Sequence, residues 1–293
     1  MTVIEKSAMP FNEYTNPTKR MKLQRITPKK KFSQNFLTDA AIARKIASVL
    51  ECTEGDMVVE IGPGTGALTS HLIAHQGVSV YALELDERAV ASLRQTFSTV
   101  DSNTLHIIHT DALAYDLHSL AQSAGRSLKV IGNLPYAITS DLLFHLYDNS
   151  ESISRAVCMV QKEVAQRIVA SVRTKEYGIL TLATQMAGTA RIHFDVPSGA
   201  FYPRPSVTSS VFSVDMHKEQ STNALNVLNL RRLVRAAFNQ RRKTLRNSLA
   251  AYCEEQWHIS VRTIDSPMLE QRAEELTLAD FRELYHILQQ ASG

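Results

Sequence analysis

Cysteine is scarce in this chain of 293 residues, and its three copies, Cys52, Cys158 and Cys253, lie far apart. An odd, scattered set is no disulfide framework, and without a Cys-x-x-Cys pair it suggests no zinc. That usage fits a reducing compartment, so a cytoplasmic protein is expected. Long apolar runs are absent too. None approaches the ~20 residues that cross a bilayer, which excludes a membrane protein. The N-terminal stretch lacks the roughly 7–15-residue apolar core of a secretory signal. Its Arg and Lys residues hint at a transit peptide, but Glu5 and Glu13 count against one. The histidines carry no metal-ligand spacing, so no metal is expected. The single tryptophan, Trp257, reads as a packing residue. Neither an internal repeat nor a low-complexity tract is present.

What is there is ordinary in bulk: 44% hydrophobic and 21% charged residues, which excludes a mainly disordered chain, a collagen repeat or a coiled-coil rod. The length allows one large domain or two unequal ones. The formal charge of +3 hides an asymmetry. Residues 1–31 hold eight Lys and Arg against two acids, and residues 228–250 hold seven against none. The remainder is therefore acidic. Such a body with two basic segments suggests a polyanionic partner, or else a basic tail and a solvated helix face. Residues 1–28, with Pro10, Pro17 and Pro28, read as a poorly ordered basic extension.

From Phe36 onward the pattern alternates. Met57–Ile61, Val78–Leu85, Leu105–Thr110, Leu128–Leu134 and Ile153–Val160 read as strands. Ala67–Ala74, Glu87–Phe97 and Ser140–Tyr147 read as helices. That argues a parallel sheet covered on both faces. Thr189–Val196 and Ser209–Met216 follow as strands with only the Pro197–Pro205 stretch between them, a candidate antiparallel pair closing the sheet. After residue 222 the pattern turns helical, with Leu225, Leu228, Val234 and Phe238 expected on one face. The expectation is an α/β domain at 29–221 and a small all-α domain at 222–293.

The chemistry begins at Glu60-Ile-Gly62-Pro-Gly64-Thr-Gly66, after the first strand. Glycines there allow a tight turn and close approach of a ligand. Glu84 ends the next strand, where an acid accepts hydrogen bonds from ribose hydroxyls, and Asp111 ends the third, where one accepts from an adenine amine. Either acid alone could be a helix N-cap. The third glycine comes one residue early for a dinucleotide site, and an acid opens the motif. That form resembles S-adenosylmethionine-dependent methyltransferases. Asn133-Leu134-Pro135-Tyr136 closes the fourth strand. The amine of adenine is a poor nucleophile because its lone pair is delocalised. The Asn133 side-chain oxygen and the Leu134 carbonyl can each accept one N–H and localise that pair. Pro135 fixes the backbone, and Tyr136 offers a face on which a base stacks. Lys162-Glu163 reads as a helix start rather than an acid–base pair.

With these motifs go Phe32-Ser33-Gln-Asn35-Phe-Leu37, Gln161-Lys-Glu-Val, Tyr177-Gly178, Ala200-Phe201-Tyr202-Pro203 and Phe238-Asn-Gln-Arg-Arg-Lys243-Thr-Leu-Arg246-Asn247-Ser248-Leu249. Together they resemble the ribosomal RNA adenine dimethylases, from about Lys30 to Leu288. The resemblance implies a Rossmann-like methyltransferase sheet with its seventh strand antiparallel and a C-terminal helical domain. It implies S-adenosyl-L-methionine as cofactor, held by Asn35, Leu37, Gly62, Gly64, Glu84, Asp111 and Asn133, with Glu60 acting indirectly. It places Asn133, Leu134, Pro135 and Tyr136 at the chemistry, with Phe201 sandwiching the flipped adenine against Tyr136. It implies RNA contacts from Arg231, Arg232, Arg235, Arg241, Arg242, Lys243 and Arg246, of which Arg242 and Arg246 could instead brace a domain interface. The implied partner is small-subunit ribosomal RNA or an immature small subunit, met by a monomer. The implied product is dimethylation of two neighbouring adenosines near the RNA 3′ end. Ser33 stands where the family has Gly, and Ala137 where it has Asn. Two other readings stay open: a large-subunit methylase of the macrolide-resistance type, disfavoured by Leu134 and the Arg241–Leu249 segment, and a ribosome-assembly factor with secondary methylation.

Overall fold

Strand direction decides where this molecule gathers its polar groups. The computed structural model describes residues 35–217 and 224–292, with side chains from residue 227 in the second stretch. The basic extension, Ser33 and Leu225 of the expected helical face lie outside the described residues. Seven strands form the main sheet: β2 (Met57–Ile61), β3 (Ser79–Glu84), β4 (Leu105–His109), β5 (Leu128–Asn133), β6 (Ile153–Gln161), β7 (Gly188–Val196) and β9 (Ser209–Met216). Their order is β4-β3-β2-β5-β6-β9-β7. β2 pairs in parallel with β3 and β5, β3 with β4, and β5 with β6. β9 pairs antiparallel with β6. The chain thus runs outward from β2 in one direction and then restarts at β5 in the other. Ligands bind beyond the strand C-termini at such a reversal.

The strands follow the apolar runs of the sequence within a residue or two. Val58, Val80, Val130, Ile131, Val157 and Cys158 are completely buried, as expected of strands covered on both faces. Helix α1 (Ala40–Val49) precedes β2, and Asp39 caps it by accepting from the backbone N–H groups of Ala41 and Ile42. A four-residue helix α2 (Thr69–Leu72) follows the glycine loop, shorter than the pattern predicts. Helices α3 (Glu87–Thr96), α4 (Leu117–Ala124) and α5 (Thr139–Asp148) fill the later crossovers. Between β7 and β9, strand β8 (Phe201–Tyr202) pairs antiparallel with β1 (Phe36–Leu37), matching Phe36 with Tyr202 and Leu37 with Phe201. The Thr38 hydroxyl adds a bond to the Ala200 carbonyl at 2.9 Å.

The chain divides into two compact units. One holds the sheet and runs through Ala165, with Arg191–Met216; the other is Gln166–Ala190 with the described residues from His217 on. The sequence pattern put the division after residue 221. The helical unit also takes Gln166–Ala190 because Tyr177, Leu182 and Met186 pack into its own core. Tyr177 donates its hydroxyl to the Leu276 carbonyl at 2.8 Å, and its ring meets Phe238. In α6 (Ala224–Asn239) the buried face is Leu230, Leu233, Val234 and Ala237. That spacing of three, four and seven matches the helical repeat. Leu228 lies two residues off this stripe, on the far side, and is 44% exposed, so it does not share the face the pattern gave it. Trp257 packs edge-on against Tyr252 and Tyr285.

Candidate active site

The glycine loop leaves β2 at Gly62, whose φ of +64° favours a residue without a Cβ. Its N–H donates to the Leu83 carbonyl at 2.9 Å, tying the loop to β3. A Cβ at Gly64 would lie 3.0 Å from the ring of Phe36. Glu60, which opens the motif, is buried and accepts from the Thr69 hydroxyl at 2.6 Å. It thus anchors the start of α2 beneath the loop.

Glu84 is 6% exposed at the end of β3. One carboxylate oxygen accepts from the Gly64 N–H at 2.9 Å, the other from the Asp86 N–H at 2.9 Å. Burial raises its pKa above the ordinary carboxylate value, against the pull of those N–H groups. Asp86, itself buried, pairs with Arg88 at 2.6 Å and caps α3. Asp111 is exposed and accepts from the Leu113 N–H at 3.0 Å. Leu85, between Glu84 and Asp86, is 47% exposed and lines the cavity.

That cavity measures about 370 Å³. Asn35, Leu37, Gly62, Gly64, Glu84, Asp111 and Asn133 all line it, as do Leu134, Pro135 and Tyr136. Among the described residues its walls carry the carboxylates of Glu60, Glu84 and Asp111 and no Lys or Arg. None of those lining residues would offer a pyrophosphate a cation. A ligand with cationic sulfur and ammonium groups and an apolar purine fits, and the open space beyond the Cα of Gly62 leaves room for its close approach. Among the described residues no cluster of His, Cys, Asp and Glu could hold a metal ion.

At the end of β5 the Asn133 amide nitrogen donates to the Asn35 backbone carbonyl at 2.9 Å. A carbonyl only accepts, so the amide orientation is set by chemistry and Oδ1 is turned to the other side. The Pro135 carbonyl is taken by the Thr139 hydroxyl and the Ile138 N–H. Tyr136 is half-buried, its hydroxyl 2.8 Å from Ser209 Oγ, and burial pushes its phenol pKa up. Phe201 is not brought to the cavity. It is 4% exposed and packed in the core, paired with Leu37 in the small β1–β8 ribbon.

Across known proteins, the model of the ribosomal RNA adenine dimethylases matches residues 25–290. The chain belongs to that family. A Magnetococcus marinus protein called Ribosomal RNA small subunit methyltransferase A is 41% identical over 261 residues, 88% of this chain and 91% of the relative. The protein of the same name from Acinetobacter baylyi is 43% identical over 253 residues, 86% of this chain and 89% of its own length. A dimethyladenosine transferase from Plasmodium falciparum shares the fold with a TM-score of 0.72 at 24% identity, over 87% of this chain and 98% of its own. The 23S rRNA methyltransferase ErmE does so with a TM-score of 0.61 at 22% identity, over 87% of this chain and 100% of its own. The chain is thus an S-adenosylmethionine-dependent ribosomal RNA adenine dimethyltransferase.

In this dimethylase the basic residues of the helical unit have two fates. Arg232, Arg235, Arg242 and Lys243 are exposed. Arg241 pairs with Glu274 at 2.6 Å and donates to the Thr174 carbonyl. Arg246 pairs with Glu270 at 2.6 Å and donates to the carbonyls of Val261 and Ile264. Both tie the helical unit to itself. Arg231 is part-buried. Several site residues escaped the sequence reading. Phe36 presses on Gly64, Leu85 faces the cavity, Thr69 holds Glu60, and Gly132 lies where a Cβ would meet the Ile61 carbonyl at 2.8 Å. An unpaired Leu at a strand end and a Gly inside an apolar strand were the available signals for two of them.

Proposed function

We propose that this enzyme dimethylates the N6 amines of two neighbouring adenosines near the 3′ end of small-subunit ribosomal RNA, acting as a cytoplasmic monomer on the RNA of an immature subunit. The observation that carries the reading is a cavity that joins three carboxylates and, among the described residues, no cation to the acceptor loop Asn133–Tyr136. The small-subunit target is supported by the relatives' shared name over most of their length.

S-adenosylmethionine supplies a methyl group on a cationic sulfur. Glu84 would accept from its ribose hydroxyls, and Asp111 would accept from its adenine amine. Asn133 is held by the Asn35 carbonyl and presents Oδ1 to one N–H of the target amine. The Leu134 carbonyl accepts the other. Together the two acceptors draw the nitrogen lone pair out of the ring, and no ionised base is needed before attack. Tyr136 bears the face of the base, a contact worth ~1–3 kcal/mol per stacked base. With Phe201 buried, Tyr136 is the aromatic that the acceptor loop itself brings to the cavity. Arg232, Arg235, Arg242 and Lys243 meet backbone phosphates. Mass spectrometry of ribosomal RNA from cells lacking the protein tests this. The paired dimethyladenosines should vanish from small-subunit RNA and return with the wild-type gene but not with Asn133→Ala. Their persistence in the null strain would reject the assignment.

A further inference from the structure

The reversal of β9 has a consequence at the acceptor loop. In a fully parallel sheet the first residue of this strand would lie at the far end from the site. Running antiparallel to β6, β9 instead delivers Ser209 to the edge where the loops after β2, β3, β4 and β5 converge. Ser209 is held there by its register with Gln161, and the Lys162 N–H donates to the Thr208 carbonyl just before it. Its side chain has no solvent exposure. Tyr136 leaves β5, reaches across the end of β6 and places its hydroxyl 2.8 Å from Ser209 Oγ.

We propose that Ser209 is a positioning residue for methyl transfer: its hydroxyl tethers Tyr136 and so sets the plane in which the target base stacks. The inference rests on the reading of Tyr136 as the stacking face. A phenol ring is fixed at one end by its Cα–Cβ bond. A hydroxyl tether at the other end fixes the ring's long axis, and because a phenol hydroxyl bonds best near the plane of its ring, it also favours one rotation about that axis. The plane matters because Asn133 Oδ1 and the Leu134 carbonyl lie at fixed positions and accept two N–H bonds that share the plane of the base. A tilt of the ring moves the amine off both acceptors. RNA affinity is set mainly by phosphate contacts elsewhere, so losing the tether should slow the chemical step and leave binding nearly unchanged. Ser210, the next residue, is committed to Asp195 at 2.6 Å, and Asp195 to Lys162 at 2.6 Å, so the neighbouring hydroxyl is held by other partners.

The test is a double-mutant cycle with Ser209→Ala and Tyr136→Phe, read by single-turnover methylation at saturating cofactor and RNA. Each single variant removes the same hydrogen bond from one side and should lower the rate about tenfold, the scale of a small misplacement at a reacting centre. The double variant should be no more than about twofold slower than either single, because the bond can be lost only once. Ser209→Thr, which keeps a hydroxyl, should recover most of the rate. Cofactor and RNA dissociation constants should stay within about twofold throughout. Full activity in Ser209→Ala, or losses that multiply in the double variant, overturns the tether. If Ser209→Ala fails to fold, full activity in Tyr136→Phe overturns it alone. Tyr136→Ala separates the two layers. If it is inactive while Tyr136→Phe is normal, stacking stands and the tether falls. If it too is fully active, the stacking reading fails and the tether with it.

Discussion

Replacing Glu84 by Gln should make the protein bind its cofactor worse and lose a pH dependence of its folding at the same time. The carboxylate sits 6% exposed between two N–H donors, from Gly64 and Asp86. Its pKa is raised above the ordinary 4.5, first by burial, then by the nearby Asp86 charge. A carboxyl with a raised native pKa binds its proton more tightly folded than unfolded. Its contribution to stability is therefore full below pH 4.5 and is lost as pH rises through the raised native value. At neutral pH its charge opposes folding and is there for the ligand. Gln removes that charge, so the slope of stability against pH between 4.5 and the raised value should flatten. Gln also keeps only one acceptor oxygen for two N–H donors, which sets a local cost of ~1–3 kcal/mol for the one left unmatched. Cofactor binding should fall by one charge-assisted bond, ~1.5–3 kcal/mol, or roughly 10- to 150-fold. Titration calorimetry with S-adenosylmethionine and thermal melts from pH 4 to 8 measure the two effects. Unchanged affinity in a folded variant would remove Glu84 from the cofactor site. An unchanged pH slope would contradict the buried-charge argument.

Three further outcomes are expected. Asn133→Ala should cut single-turnover methylation at saturating cofactor by ~100-fold or more, the scale of one lost transition-state acceptor, and near-normal rates would show that this amide does not activate the amine. Arg242→Gln with Lys243→Gln should weaken RNA binding regardless of sequence and flatten log K against log salt by ~1.4–1.8, two phosphate contacts, as read by filter binding across a salt series. Arg246→Ala leaves the Ile264 carbonyl without its Arg246 donor and the Val261 carbonyl with only the Ile264 N–H, at a cost of ~1–3 kcal/mol for the unmatched group. It should lower the melting temperature without changing that salt slope, and a changed slope in folded protein would return Arg246 to the RNA surface.

The parts of the site that sequence disclosed are those whose chemistry is local. Glu84 and Asp111 lie at or just past the ends of strands that announce themselves by composition, and Gly62 and Gly64 mark a turn at positive φ, which glycine adopts most readily. Asn133 to Tyr136 carry their meaning in four consecutive positions. The rest depends on where the chain returns. Ser209 matters only because β9 is antiparallel, which fixes what lies beside Tyr136 across 73 residues. Phe201 reads as a base-stacking aromatic from its motif, yet pairing with β1 buries it. Arg241 and Arg246 read as phosphate contacts from a basic run, but Glu274 and Glu270 from distant turns claim them. The helical unit recruits Gln166–Ala190 from inside the α/β stretch because Tyr177 fits its core, a choice that no local pattern signals.

Methyl transfer to a defined RNA is the most direct measurement. Purified enzyme, labelled S-adenosylmethionine and small-subunit RNA from a strain lacking this modification are combined as immature subunits, and the RNA is digested and sequenced by mass spectrometry. Two neighbouring adenosines near the 3′ end should each gain two methyl groups on N6, with Asn133→Ala leaving both bare. Label on large-subunit RNA instead, or on an atom other than adenosine N6, would contradict the chemistry assigned to the Asn133–Tyr136 loop.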